Sequence, residues 1–344
     1  MSQFDKPISD PTVIVDQAYK AQNDAFGTID YPFLIKLIDD YRLHKILDIG
    51  TGEGTFIIEL AKRIITVDID AIDINKNMID KAKINNARNK LEINFYQAIF
   101  DASFPQNNYD LIIARFALEH IIARRDIDKL IATVYANLKT NGWVTLIEYF
   151  ILDVDIIDPT WKKFRKSEII TYKHARAHPR ICLHLPVSLR MENFHNIKSN
   201  INHVSPSTIG ADNFFNLVFE YTKLYSQIYP IAWPQALQKE IFLWCDRKQA
   251  KGDPAFYISH TIGQKLSKSA LEKMKDTQSR WYRLSNITRS LPACNRVTFT
   301  SDDRLVVCRF SYPFSYISKA HKTRLAEFTC LSSRATWKSG RTPC

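Results

Sequence analysis

Five short apolar runs punctuate the first 150 residues: Lys45–Ile49, Ile69–Asp73, Ile93–Ile99, Tyr109–Ala114 and Trp143–Phe150. Each is too short for a helix and is bounded by polar, glycine or proline residues, so each predicts a buried strand. Between them, apolar residues recur every three or four positions, at Phe56–Ala61, from Asn75 through Met78, Ile79 and Ala82, and over about 125–138. Such spacing predicts helices, with Asn75 as an N-cap and Asn141-Gly142 as a stop. Strands alternating with helices predict an α/β fold with a doubly wound, mostly parallel sheet and right-handed crossovers. Ahead of the first strand, Val15, Ala18, Tyr19, Phe33, Leu34, Leu37 and Ile38 predict one or two helices.

After Phe150 the rhythm changes. Segments 158–172, 186–191, 211–229 and 234–249 read as helices, while 194–204 and 255–262 read as strands. Beyond about 271 the pattern decays, with one glycine and 18 Ser or Thr in 74 residues and room for a single hairpin, 296–300 with 305–310. The expected organisation is a helical lid over 1–43, a core over 44–150, a helical region with closing strands over 151–268, and a partly disordered extension over 269–344.

Composition changes one inference. The net charge of +11 suggests a nucleic-acid partner, but 14 basic and 5 acidic side chains fall in 271–344. The other 270 residues hold 33 basic and 31 acidic side chains, so the body is nearly neutral and the nucleic-acid reading loses its support. Six cysteines without a Cys-x-x-Cys pair make no metal or disulfide framework. The polar start 1–12 lacks a signal-peptide core, and no apolar run reaches 18 residues; a cytoplasmic setting without a membrane span is expected.

The chemistry concentrates at Asp48-Ile49-Gly50-Thr51-Gly52-Glu53-Gly54, a glycine turn joining the first strand to a helix. A dinucleotide fingerprint needs Gly-x-Gly-x-x-Gly, and here the third glycine comes one residue early. A phosphate-binding loop needs Gly-Lys-Ser/Thr, which is absent. An acid, Asp73, follows Gly54 by 19 residues at the end of the second strand. Its carboxylate suits two ribose hydroxyls; the plain alternative is a cap for the next helix.

These residues resemble the cofactor loop of class I S-adenosylmethionine-dependent methyltransferases, in particular the small-molecule and quinone-type group. The resemblance covers roughly 17–265 and is strongest over 44–150. It implies a Rossmann-like seven-stranded sheet with helical insertions and S-adenosyl-L-methionine as cofactor. It further implies cofactor contacts from Asp48, Gly50, Thr51, Gly52, Gly54, Asp73, Ile74, Ala98, Ile99 and Arg115. Ala98 stands where the family often has an acid near adenine, with Asp101 three residues later and Gln97 beside it. Ala114-Arg115-Phe116-Ala117-Leu118-Glu119-His120 resembles the stretch that meets cofactor and substrate, and His120 is the expected base because its pKa lies nearest neutrality. A structural histidine at a helix start is the alternative.

Tyr19, His120 and Tyr149 are the expected acceptor contacts, and helices around Tyr19, Asn23 and 214–229 the expected lid and wall. The segment from His178 to Ile197 resembles the family's substrate helix and sixth strand, with Asn193 in place of a glycine. Lys162, Lys163, Arg165, Lys166, Lys173, His174, Arg176 and His178 would attract an anionic acceptor, or form a solvated face. No Asn/Asp/Ser-Pro-Pro-Tyr/Phe, Gly-x-Ser-x-Gly or His-Glu-x-x-His motif is present, nor a Pro-Cys nucleophile suited to cytosine C5 chemistry. The expected reaction is methyl transfer to an O, N or C atom of a small molecule. RNA or protein methylation through the basic tail, and a non-catalytic binding module, remain alternatives; no metal is expected, and neither the acceptor nor the oligomeric state follows from the sequence.

Overall fold

A computed structural model describes residues 11–64, 67–105, 108–121, 127–151, 156–178, 180–267, 269–272, 297–299 and 305–307. The chain opens with one helix, α1 (Pro11–Tyr41), which runs straight through Pro32 rather than breaking into two. Strands β1 (Lys45–Ile49), β2 (Asp68–Asp73), β3 (Ile93–Gln97), β4 (Tyr109–Arg115) and β5 (Leu138–Phe150) follow, with helices α2 (Thr55–Ala61), α3 (Lys76–Asn89), α4 (Leu118–Ile121) and α5 (Ile127–Asn137) between them. Then come α6 (Pro159–His174), a 3-10 turn at Ile181–Leu183, α7 (Leu185–Met191), β6 (His195–Val204), α8 (Pro206–Ile209), α9 (Ala211–Ile228), α10 (Gln235–Arg247) and β7 (Phe256–Gln264).

The seven strands form one sheet in the order β3-β2-β1-β4-β5-β7-β6, with β7 antiparallel to β5 and β6 and the other pairs parallel. The expected doubly wound sheet is therefore present. Central strands are apolar on both faces, as Leu47 and Ile112 on one side and Ile46, Leu111 and Ile113 on the other show, because helices cover both faces. Strand order reverses between β1 and β4, so the crevice at their carboxyl ends is where such a fold takes a ligand.

Residues 1–267 and 268–344 form two units. In the second, β8 (Val297–Phe299) pairs antiparallel with β9 (Leu305–Val307), at the predicted hairpin. Most of that extension, and with it the expectation of disorder, lies outside the described residues.

Three expectations are corrected. β3 ends at Gln97, so Ala98 and Ile99 lie beyond the strand. Asn141-Gly142 does not terminate α5; that helix ends at Asn137, and Asn141 (φ 67°) is an irregularity inside β5 that shifts its register against β4. There Asn141 donates its N–H to the Lys265 carbonyl, so the turn chemistry serves the sheet. The helices over 158–172 and 234–249 also shift by one or two residues at their ends. Asn193 takes φ 62°, a left-handed conformation that Asn tolerates better than most residues, which explains how it replaces glycine there.

The glycine loop shows why its spacing is fixed. Gly50, Gly52 and Gly54 have φ of 72°, 56° and 76°, so every second residue is left-handed. The N–H groups of Gly50 and Thr51 both donate to the Ile72 carbonyl, folding the loop over the end of β2. A Cβ on Gly54 would meet the Phe95 ring at 3.0 Å and Ala82 Cβ at 3.2 Å, whereas one on Gly52 meets nothing within 4 Å. Gly54→Ala should therefore destabilise the chain by about 3 kcal/mol, from backbone strain plus overpacking, and Gly52→Ala by about 1 kcal/mol. Denaturant unfolding of the two variants measures the difference; equal losses would contradict it.

Candidate cofactor and acceptor site

At the carboxyl ends of β1 and β4 lies a cavity of about 300 Å³. The glycine loop supplies Asp48, Gly50, Thr51 and Gly52; α1 supplies Tyr19, Gln22 and Asn23; β4, β5, α4, α6 and α9 complete the wall. Of the residues singled out in the sequence, Asp48, Gly50, Thr51, Gly52, Arg115, Tyr19 and Tyr149 line it. Gly54, Asp73, Ile74, Ala98 and Ile99 do not. His120 sits on α4, and its side chain lies outside the described residues.

Asp73 borders the loop rather than the cavity. One of its oxygens accepts from Gly52 N–H at 2.9 Å and the other from Asn75 N–H at 2.8 Å. A carboxylate has about four acceptor positions, so two remain. Capping of α3 falls to Asn75, whose side chain accepts from Asn77 N–H. Beside Asp73, Ile74 is 62% and Ile99 59% exposed, an apolar shelf at the ends of β2 and β3. Ala98 spends its N–H on the Asp73 carbonyl, and Gln97 donates its side-chain amide to the Ile74 carbonyl. Asp101 is tied to Ser103 by two hydrogen bonds. What Ala98, Ile99 and Ile74 offer a planar ring is thus contact surface rather than an acid.

Asp48 is buried, and burial pushes its carboxyl up to about 7, with the Thr51 side-chain hydrogen bond and then the Arg115 charge opposing the rise. Arg115 is only half available. Its Nε donates to Asp30 Oδ2 at 2.7 Å, and its guanidinium lies 4.6 Å from the Phe56 and Phe116 rings. Its Nη2, buried, has no protein partner. An orphan guanidinium nitrogen on the wall, together with a buried acid, is what a polar cofactor end would complete. Phe116 itself is left-handed (φ 52°), a strained conformation for a bulky residue.

Sequence reading gave no individual role to Asp30, Glu119, Tyr172, Tyr221 or Tyr225, and took Glu148 as structural. Asp30 is fully buried and bridges Arg115 to His260 Nε2 at 2.7 Å. The visible signal was an acid on the apolar face of α1, four residues after Phe26 and four before Leu34. Glu148, on β5, accepts from Ala117 and Leu118 N–H groups and so starts α4; burial and then the neighbouring Glu119 hold it well above the ordinary range. Glu119 lines the cavity, as do Tyr172, Tyr221 and Tyr225, which had no motif to announce them. The basic run behaves as the solvated face: Lys162, Lys163, Lys166, Lys173, His174 and Arg176 are exposed, and Arg165 is buried against Glu168.

Residues 46–142 match the family model described as a methyltransferase domain. This segment is a class I S-adenosylmethionine-dependent methyltransferase domain. S-Adenosylmethionine is the cofactor of that class. The chain is 32% identical over 123 residues to ribosomal protein L11 methyltransferase of Dictyoglomus thermophilum, covering 34% of this chain and 38% of that protein. It is 29% identical over 142 residues to phosphoethanolamine N-methyltransferase of Plasmodium falciparum, covering 40% and 53%. It is 28% identical over 113 residues to ubiquinone biosynthesis O-methyltransferase of Rickettsia typhi, covering 31% and 44%. The chain thus spans about half or less of the length of these relatives. The methyltransferase domain carries the glycine loop, Asp73 and α4; the tyrosines of the cavity lie outside it.

The raised Asp48 carboxyl has a consequence for stability. Folding lifts it above its unfolded value, so between about pH 4 and 7 the folded chain keeps a proton that the unfolded chain has lost. This group's contribution is intact at low pH and lost as pH rises through about 7. Asp48→Asn should raise stability at pH 8 by up to about 4 kcal/mol and change it little at pH 4. Thermal unfolding at the two pH values checks this; a variant equally stabilised or destabilised at both would refute it.

Proposed function

We propose that this chain is a methyltransferase that transfers a methyl group from S-adenosylmethionine to a small-molecule acceptor held in the cavity. The observation that carries the reading is the position of the cavity, directly against the glycine loop and roofed by α1 and α9. Gln22 on α1 donates to the Tyr221 hydroxyl on α9 at 2.8 Å, closing that roof. Among the described residues, the only basic side chain lining the cavity is Arg115, and it is paired, so nothing at the wall suits a polyanion.

Bound S-adenosylmethionine supplies an electrophilic methyl group on a sulfonium. In this reading Asp73 holds the ribose hydroxyls, Asp48 the amino end, and Arg115 Nη2 the carboxylate. Ile74, Ala98 and Ile99 cover the adenine. Gly50, Thr51, Gly52 and Gly54 let the backbone approach closely. The domain mainly positions the acceptor and excludes water. His120 accepts the proton when the acceptor carries one, and Tyr19 and Tyr149 touch the acceptor. Neither tyrosine replaces His120, since burial above all holds both phenols above their ordinary pKa, aided by Glu53 and Asp73 at Tyr19 and by Glu168, against Arg165, at Tyr149.

Calorimetry should show S-adenosylhomocysteine binding that Asp73→Asn weakens ten- to a hundredfold, the loss of hydrogen bonds to a charged group. Incubation with methyl-labelled cofactor and a metabolite extract should place the label in a small molecule. Label in protein or RNA instead would overturn the acceptor class; absence of cofactor binding would overturn the whole reading.

A further inference from the structure

The cavity opens to the surface where two helices end. Of the residues that line it, the exposed ones are Ala175, just after α6, and Ile228, at the end of α9. Ala177, Leu224 and Tyr229 line the same end. The His174 and Tyr229 rings stack there with centroids 6.5 Å apart, so the two helix ends meet at the mouth.

Beyond α9 the chain turns tightly. Ala232 donates its N–H to the Tyr229 carbonyl, and Trp233 donates its own to the Pro230 carbonyl. The Trp233 side chain is fully buried and donates its indole N–H to Thr171 Oγ1 on α6 at 2.7 Å. That plug fixes the turn, yet Ile231 at its tip is 89% exposed and Ile228 is 54% exposed. With exposed Pro230 between them, these side chains make an apolar edge held out to solvent at the mouth, the kind of feature that marks an interaction surface.

Charge decides what covers this edge. Lys173, His174 and Arg176 stand exposed beside it at the end of α6. The sequence has no acid from Ile169 to Met191 or from Tyr221 to Lys239. Glu168, Glu220 and Glu240, which flank those stretches, pair with Arg165, Lys223 and Lys163. The mouth therefore presents isoleucines beside a cationic rim. A second copy of the chain would set like charge against like charge. The extension 271–344, with 14 basic and 5 acidic side chains, has the same sign. Nucleic acid would meet the charges but leave the isoleucines unused. An anionic lipid surface takes both, because its acyl boundary accepts the isoleucines and its headgroups attract Lys and Arg.

We propose that the cavity mouth docks on an anionic lipid surface, with Ile228 and Ile231 entering the headgroup boundary and Lys173 and Arg176 meeting the anionic headgroups. The contact is peripheral: among the described residues no helix is long and apolar enough to cross a membrane. The cavity then opens toward the lipid.

The test sediments the full chain with vesicles of phosphatidylcholine, with and without roughly one-third phosphatidylglycerol. The mixed vesicles should bind at least tenfold more tightly than phosphatidylcholine alone. Ile231→Asp should weaken that binding about tenfold, and Lys173→Gln with Arg176→Gln at least tenfold. All three side chains are exposed, so the unfolding temperature should stay unchanged in both variants. Equal binding to the two vesicle types, or none, would overturn the proposal. So would full binding by Ile231→Asp, because the basic extension would then be acting by charge alone. RNA that displaces the vesicles and binds equally well to Ile231→Asp would reassign the rim to nucleic acid. Vesicle binding without any S-adenosylhomocysteine binding would support the docking surface while refuting the methyltransferase reading.

Discussion

A single buried carboxylate organises the region around the site. Asp30 accepts from Arg115 on β4 and meets His260 on β7, with no exposure to solvent. It belongs to α1, so this one group ties the N-terminal helix to two strands of the sheet. Losing one partner of such a buried pair typically costs about 3–5 kcal/mol, because the other charge is stranded. The same contact aims Arg115: with Nε committed and the plane packed on Phe56 and Phe116, only the far side of the guanidinium remains for a ligand. With α1 held there, Tyr19, Gln22 and Asn23, two to three turns earlier, face the cavity.

Around that anchor, the buried acids divide their tasks by environment. Glu148 is held well above its ordinary range by burial and by Glu119, and shapes the start of α4 through backbone N–H groups. Asp48 lies within the field of Arg115, which limits its rise, so it ionises near neutral pH and suits a cationic cofactor end. Glu168 meets Arg165 and Tyr149 and fixes the position of that ring. Three carboxyl groups within one region thus have three different roles, set by what each one touches. The aromatic cluster behind them, centred on Phe26, Trp161, Phe164 and Phe256, forms a rigid backing for the tyrosines of the cavity.

The methyltransferase domain and the later helices contribute differently. The domain brings the loop, Asp73 and the start of α4, all placed by adjacent parallel strands. The helices α6 and α9 bring the ring walls of the cavity, outside the segment that matches the methyltransferase domain.

The sheet and the glycine loop were legible in the sequence because they are local. Period-two or all-apolar strand runs and alternating left-handed glycines need only near neighbours to be recognised, and Asp73 has a fixed spacing from that loop. The end of α5, the single course of α1 and the boundary of β3 were not legible, since sheet register and helix packing overrule a local stop signal. Asp30, Glu119, Tyr172, Tyr221 and Tyr225 form no linear motif; they meet only when α1, α4, α6 and α9 close over the crevice. The sequence by itself therefore determined the cofactor fold. Which charges are buried, which arginine nitrogen is left over and which rings line the cavity were decided by tertiary packing, because burial and partner choice depend on residues up to 230 positions apart.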